Sequence, residues 1–426
     1  MISDELFATI IDSHISGAQL ETQPTKPRIS TRIENVAESA TLAIDAKAKA
    51  LKAQGMDIIG FGAGEPDFPT PERIARVAAQ ACLDPKNHRY TPTAGLPELR
   101  EAIAEKTKRD SGLQVSSSQV LVTNGGKHAI FNTFATLVGE GDEVLIPSPY
   151  WTTYPEAVKL AGGIPVEVPT TLENGFKVKV SKLNNYLSPR TKLFVHVSPS
   201  NPTGAVYNLD ESKELAQWLV DNDLWVMADE IYEHLVYDDH KAWSLPVVEP
   251  RLLDKAVVVN GVAKTYAMTG WRVGWMIAPQ DVIGAATNLQ SQSTSNVSNI
   301  AQRAAIEALE GTLDDVAKMK VAFDRRRVLI HGLLNAIPGV ECPMPEGAFY
   351  AFASLEGLLK RDYSGIVPTT TAELAEVILD QAKVAIVPGE AFGTPGYARF
   401  SYAMGEKDIA KGIGRIAELV AGSRSM

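Results

Sequence analysis

Lys264 and Arg272 lie eight residues apart in the stretch Ala256–Pro279, AVVVNGVAKTYAMTGWRVGWMIAP. An amine just beyond a buried strand can be held rigidly and partly desolvated. That lowers the cost of keeping it neutral, which is what a Schiff-base lysine needs. Arg272 offers a planar fork suited to a phosphate. One lysine for a carbonyl and one arginine for a phosphate fit pyridoxal phosphate, although two cations in a loop are equally read as solvated charges. Other reactive types recur at intervals. Asn124-Gly125-Gly126-Lys127 could bind an anion, Asn201-Pro-Thr-Gly204 supplies an amide, and Asp229-Glu-Ile-Tyr232 supplies a carboxylate and a phenol. Arg399 stands among aromatic neighbours in Ala398–Tyr402, where a charge needs a partner: a structural carboxylate or that of a substrate.

The elements that must position these groups alternate. Apolar, β-branched runs predict strands at 120–123, 143–147, 164–168, 192–198, 224–229, 256–260 and 273–278. Helical spacing predicts helices at 96–110, 126–138, 150–161, 210–222, 281–292 and 299–310. This is an α/β chain with a mostly parallel sheet between two layers of helices, and ligands in such sheets sit beyond the carboxyl ends of the strands. Asn201, Asp229 and Lys264 each follow a different strand. Singly, each is read as well as a turn or cap residue; their coincidence is the signal. Asn124–Lys127 opens a helix after a strand, where free backbone N–H groups bind anions, or it is an ordinary strand–helix turn. A long helix over 313–336, the stretch Ala348–Phe352, a helix at 371–382, strands at 383–387 and 397–402 and a last helix at 406–421 suggest a smaller α+β domain. Arg325-Arg326-Arg327 in the long helix reads as a solvated face. Arg32–Gln54 is alanine-rich and helical in pattern, ending at Gly55, and residues 1–31, with a proline-containing linker at 22–27, read as an appended arm.

Composition narrows the function classes. The chain has 426 residues, 45% apolar and 22% charged, enough for two or three domains. A net charge of −10, spread without long blocks, disfavours nucleic acid as a partner. No apolar run approaches the ~20 residues of a membrane span. The acidic N-terminus lacks the pattern of a signal peptide. Two cysteines and seven scattered histidines give neither a disulfide framework nor zinc spacing, so no metal is expected and a reducing cytoplasm is. Gly60, Gly62 and Gly64 suggest a dinucleotide fingerprint, but the position for its third glycine holds Glu65, which counts against a nicotinamide enzyme.

The residues so far resemble a known family. Ala63-Gly-Glu-Pro-Asp-Phe68, Asn124–Lys127, Ser148-Pro-Tyr-Trp-Thr-Thr-Tyr154, Ser200–Gly204, Asp229–Tyr232, Ala263-Lys-Thr-Tyr-Ala-Met-Thr-Gly-Trp-Arg272 and Arg399-Phe-Ser-Tyr402 follow the order and spacing of class I, fold-type I pyridoxal-phosphate aminotransferases. The chain is most similar to the bacterial aspartate aminotransferases of the thermophile-related branch, from about Arg32 onward. The resemblance implies a cofactor-binding large domain at 67–312 and a small domain formed by 32–66 with 313–426. It implies that Lys264 holds the cofactor and then acts as base and acid, that Asp229 pairs with the pyridinium nitrogen, and that Asn201 and Tyr232 bond the ring oxygen. Trp151 would stack on the ring, and Gly125, Gly126 and Arg272 would hold the phosphate. Tyr90 would reach the phosphate of the other subunit, so a homodimer with shared active sites is implied. Arg399 would grip the substrate α-carboxylate, with Gly64 closing over it from the backbone.

Two departures bear on specificity. Ala263 stands where many relatives have a phosphate-binding serine. Residues 281–302 contain no lysine or arginine, so the arginine that other branches send to the distal carboxylate is missing. Lys127 takes that role in the resembling branch, with Ser39 and Thr41 as further contacts; otherwise Lys127 is a helix-start lysine in solvent. The implied activity is transfer of the amino group of L-aspartate to 2-oxoglutarate by a ping-pong mechanism. An aromatic or prephenate aminotransferase is the alternative, and a β-lyase a more remote one.

Overall fold

In the computed structural model, residues 28–34, 36–37 and 39–425 are described. The linker expected at 22–27, and the arm as far as residue 27, lie outside them. The chain divides into two units, 1–37 and 38–426. In the first, Thr31–Glu34 forms a helical turn. In the second, a helix α1 runs from Ala40 to Ala53. The single helix expected over 32–54 is therefore interrupted, because Ser39 is extended (φ −68°, ψ 102°) and the helix starts anew after it.

Seven strands form the central sheet: β1 (Val120–Thr123), β2 (Glu143–Ser148), β3 (Ile164–Pro169), β4 (Thr191–Val197), β5 (Trp225–Asp229), β6 (Ala256–Gly261) and β7 (Gly274–Ile277), in the order β1-β7-β6-β5-β4-β2-β3. All neighbours are parallel except β7, which runs antiparallel to both β1 and β6. Strand alternation sends side chains into two cores. Leu121, Met227, Val257, Val259 and Met276 pack with Ile130 and Phe134 of helix α2 (Gly126–Leu137). Val120, Val122, Val258 and Ile277 pack with Leu99, Ile103 and the helix at Asn299–Glu310. Both faces of the inner strands are covered, which is why they read as largely apolar runs, while the edge strand β3 is partly exposed. Each fully buried valine contributes about 1.5–3 kcal/mol. The carboxyl ends of β4, β5 and β6 place Val197, Asp229 and Gly261 along one edge, since Val197 pairs with Asp229 and Asp229 with Val259.

A second, three-stranded antiparallel sheet holds β8 (Tyr350–Ser354), β9 (Val387–Pro388) and β10 (Tyr397–Ser401), with β10 central. Arg399 lies opposite Phe352 on one side and Val387 on the other. The strand expected at 383–387 is split at Ile386: Val384–Ala385 pairs instead with Ile59–Gly60. The two pieces have different partners, so one ladder cannot continue through both.

The triple arginine corrects the sequence reading. In helix α3 (Asp314–Asn335) the buried positions are Val316, Met319, Phe323, Arg326, Arg327, Ile330 and Leu334. Arg326 and Arg327 therefore sit on the apolar stripe, and only Arg325 faces solvent, beside Glu406. Arg326 binds Asp67 through both nitrogens, at 2.7 and 2.9 Å. Arg327 binds Asp238 in the same way, at 2.9 and 3.0 Å. Removing one member of such a pair leaves a poorly solvated charge, at a cost of about 3–5 kcal/mol where the pair is fully buried.

The sheet and α2 meet at a tight contact. Gly274 pairs with Thr123 and Gly261, and a methyl group on it would lie 2.5 Å from Gly125 C and Gly126 N. Gly274→Ala is therefore expected to lower stability by about 1–3 kcal/mol. A urea denaturation midpoint unchanged from the parent protein would contradict this contact.

Candidate active site

Lys264 is the first residue to place. The β6 strand ends at Gly261, and the chain then makes a compact turn in which Ala267 and Arg272 both take left-handed backbone angles (φ 51° and 56°). Non-glycine residues rarely adopt these, and they concentrate at functional sites. The turn aims the Lys264 amine at the Gly64 carbonyl, to which it donates a hydrogen bond. The amine lies about 6 Å from the Tyr232 and Phe349 rings, at 6.0 and 5.9 Å. Burial, helped by the like charges of Arg399 and Arg272, lowers its pKa to about 8.

Asp229, at the end of β5, is 4% exposed. Its carboxylate accepts from the Tyr154 hydroxyl at 2.8 Å and from the Ile231 N–H at 3.2 Å. Burial raises its pKa, against those two donors and the charge of Lys264. Arg399 reaches the same space from β10. It donates to Asn201 Oδ1 and to the Gly62 carbonyl, each at 2.9 Å. Its guanidinium lies 4.4 Å from the Tyr350 ring centre and 5.1 Å from that of Phe392. Arg399 is only 2% exposed, and burial lowers its pKa. The Tyr232 and Tyr350 hydroxyls bond each other at 2.9 Å.

These groups line one cavity of about 410 Å³. It brings together Lys264, Asp229, Tyr232, Asn201, Trp151, Gly126, Arg272, Arg399, Gly64, Lys127, Ser39 and Thr41. Ser39 and Thr41 stand at the start of α1, their hydroxyls 3.1 Å apart. Lys127 starts α2, with its amine 5.0 Å from the Trp151 ring centre, and burial and Arg272 lower its pKa. Two expected residues are placed differently. Gly125 is not at the wall: its N–H goes to Thr123 O at 2.8 Å, and a methyl group on it would lie 2.6 Å from an Arg272 nitrogen. Its missing side chain leaves clearance for the arginine, and the free N–H groups at the start of α2 begin at Gly126. Tyr90 is 92% exposed and outside this cavity.

Sequence reasoning missed Tyr154, Tyr350 and Gly62. Tyr154 lay within a quoted motif, and its position at the first turn after β2 was the available signal. Gly62 stood in the glycine-rich stretch 60–64, which was the available signal; nothing in the local sequence marked Tyr350, which the second sheet brings here. The histidines were read as scattered, yet His234 joins Asp110 and Glu233 elsewhere in the fold. The Lys106 ammonium fills that cluster, bonded to Glu233 and 3.4 Å from Asp110.

The charges say what the cavity takes. Lys49 is paired with Asp45 at 2.7 Å. Among the described residues, no carboxylate forms an ion pair with Lys127, Lys264, Arg272 or Arg399. Arg272 spends its fork on the carbonyls of Thr269 and Asn124, at 3.0 and 3.3 Å. Asp229 is in turn a buried carboxylate with no ion-paired cation among the described residues. Pyridoxal phosphate fits this donor set: an amine for its aldehyde, a guanidinium and a helix start for its phosphate, and a desolvated carboxylate for its ring nitrogen.

Comparison with known proteins agrees with this chemistry. Residues 56–416 match the profile of the family described as aminotransferase class I and II. An aspartate aminotransferase of Streptomyces avermitilis is 59% identical over 94% of this chain and 98% of its own length. An aspartate/prephenate aminotransferase of Cereibacter sphaeroides is 43% identical over 92% of this chain and 99% of its own. The solved structure of the Thermus thermophilus aspartate aminotransferase with maleate superposes with a TM-score of 0.86, at 41% identity, covering 92% of this chain and 100% of that one.

The environment of Lys264 can be read directly. In the cofactor-free chain, labelling of Lys264 by an amine-directed reagent should show a pH midpoint near about 8, against ~10.4 for an ordinary lysine. Arg399→Leu removes a like charge, so the midpoint should rise. Peptide mass spectrometry after labelling would read both, and a midpoint in the ordinary lysine range would refute the assignment.

Proposed function

The chain belongs to the class I and II aminotransferases, and we propose that it moves the amino group of L-aspartate to 2-oxoglutarate, giving oxaloacetate and L-glutamate. The observation that carries this reading is that two cations, Arg399 and Lys127, line the same cavity as Lys264, and that among the described residues no carboxylate forms an ion pair with either. A dicarboxylic amino acid offers one carboxylate to each.

Pyridoxal phosphate, when bound, supplies the aldehyde that takes up the amino group and a ring that spreads the electron pair left on the α-carbon. The chain's residues do the rest. Arg399 orients the α-carboxylate through its planar fork. Lys127 holds the distal carboxylate, with Ser39 and Thr41 beside it. Lys264 takes the proton from the substrate Cα, and a pKa lowered to about 8 leaves a useful neutral fraction at physiological pH. Asp229, fixed by Tyr154, sets the charge opposite the ring nitrogen. Trp151 and Tyr232 bound the ring, and Arg272 with the first turn of α2 receives the phosphate. We further infer that residues 67–312 act as the cofactor-binding domain. Residues 32–66 with 313–426, which carry Arg399, would close on substrate and exclude water. A homodimer, in which the exposed Tyr90 completes the partner's phosphate site, and a cytoplasmic location belong to the same reading. No described helix is long and apolar enough to cross a membrane. A ring-bearing dicarboxylate such as prephenate is the second reading, favoured by the Cereibacter relative's name and by Trp151 beside Lys127.

The test is a half-reaction. L-aspartate added to the cofactor-loaded enzyme without an oxo acid should change the absorbance of the bound cofactor. In the Lys127→Ala enzyme, KM for aspartate should rise about 10- to 100-fold, the loss expected of a charged hydrogen bond, while turnover of alanine is unaffected. Equal losses for both substrates would remove Lys127 from the distal site.

A further inference from the structure

The stretch 62–70 is bonded to Arg399, to Lys264 and to the turn that carries Lys264. The Gly62 carbonyl accepts from Arg399 at 2.9 Å, and the Gly64 carbonyl accepts from Lys264. The Glu65 carboxylate accepts from Thr269 at 2.8 Å. The Thr70 hydroxyl donates to the Ala267 carbonyl at 2.8 Å and accepts from the Trp271 indole at 2.9 Å. These bonds tie the stretch to the lysine-bearing turn and to β10. On its other side it is held by one turn of helix α3. Arg326 grips both oxygens of Asp67, and Phe68 stands edge-on to Phe323 at 5.4 Å with the guanidinium 5.0 Å from its own ring centre.

We propose that Arg326 is a positioning residue for Lys264: its grip on Asp67 holds Gly64 and Glu65 where the carbonyl of one and the carboxylate of the other face the reactive amine. Pro66 lies between, and its fixed φ lets the strap transmit a displacement at Asp67 instead of absorbing it. The neighbouring Arg327 provides a control within the same helix. It is also buried and forked, but its partners are Asp238, Asp324 and the Pro345 carbonyl, none of them in the stretch 62–70.

The proposal fixes the direction of an electrostatic effect. The charged groups facing Lys264 are Arg399 and Arg272, which lower its pKa, and Glu65 and Asp229, which raise it; Lys127 lines the same cavity. Releasing Asp67 lets the Glu65 carboxylate and the Gly64 carbonyl move away. Both favour the protonated amine, so the Lys264 pKa should fall further when Arg326 is lost.

The experiment compares Arg326→Gln, Arg326→Lys, Asp67→Asn, the Arg326→Gln/Asp67→Asn double variant and Arg327→Gln in the full chain. Cofactor-loaded enzyme is assayed for kcat and thermal midpoint, and the cofactor-free chain for the pH midpoint of Lys264 labelling. Arg326→Gln and Asp67→Asn should each lower kcat about 10- to 100-fold and move the labelling midpoint down. The double variant should be no worse than either, because all three remove one grip. Arg326→Lys should recover part of the loss, as a point charge replaces a fork. Arg327→Gln should lower the thermal midpoint while kcat and the labelling midpoint stay at parental values. Arg326→Gln and Arg327→Gln behaving alike, or Arg326→Gln lowering only the thermal midpoint, would reduce Arg326 to a packing role. The labelling needs no substrate, so a failure of the aspartate assignment would leave this outcome intact. Should Arg326→Gln not fold, Arg326→Lys and Asp67→Asn carry the same comparison.

Discussion

Positive charge gathered without ion pairing, among the described residues, at Arg399, Arg272, Lys264 and Lys127 is the constraint on which this structure depends. Arg399 is almost wholly buried, yet its polar partners are an amide oxygen and a backbone carbonyl. Taking a guanidinium out of water costs several kcal/mol unless its environment replaces the lost hydration. Neutral dipoles and the faces of Tyr350 and Phe392 replace part of it. Arg272 is treated in the same way, its fork resting on two carbonyls. A carboxylate partner would stabilise either arginine more, but it would also cancel the charge that an anionic ligand is to meet. The cavity accepts some instability so that a phosphate and two carboxylates find unspent cations.

That constraint explains why two sheets are needed. A single sheet edge can present Asn201, Asp229 and Lys264 together, because their strands are neighbours in register. It cannot place an arginine on the opposite side of the cavity. The second sheet does so by setting Arg399 in its central strand, where flanking strands fix the side chain's direction. The stretch 62–70 then spans both sheets, offering Gly62 to the arginine and Gly64 to the lysine. An element with so many polar obligations has few apolar contacts of its own, and α3 anchors it through Asp67 and Phe68.

Much of this was legible in the sequence, for definite physical reasons. Strands buried on both faces are largely apolar runs, so the inner strands of the central sheet could be located to within a residue or two, and the partly exposed edge strand β3 by its β-branched residues. Strand ends then pointed to Asn201, Asp229 and Lys264. Contacts made only by the tertiary fold were not legible. Tyr350 reaches the cavity through β8, and no local pattern marks it; Gly62 stands in a local glycine pattern, but its bond to Arg399 is made only by the fold. Gly125 was read as a donor because a glycine before a helix resembles an anion turn, whereas its N–H closes that turn and its missing side chain admits Arg272. The triple arginine was legible and misread. Positions 316, 319, 323, 326, 330 and 334 keep helical phase, and that phase puts Arg326 inside; composition alone suggested solvent.

Asp229 and Lys264 carry the argument one step further. Burial raises the pKa of the first and lowers that of the second. One cause thus drives a carboxylate and an amine toward neutrality in the same cavity. Two groups so placed could neutralise each other by contact, but the fold keeps them apart: Tyr154 and Ile231 take the carboxylate, and Gly64 takes the amine. Each is left responsive to whatever lies between them. With pyridoxal phosphate bound, Asp229 would hold the ring nitrogen, whose positive charge favours the charged carboxylate, and Lys264 would meet the aldehyde, toward which the neutral amine is the reactive form. The separation of the two groups, more than either alone, is what makes the cavity selective for a ligand that is cationic at one edge and electrophilic at another.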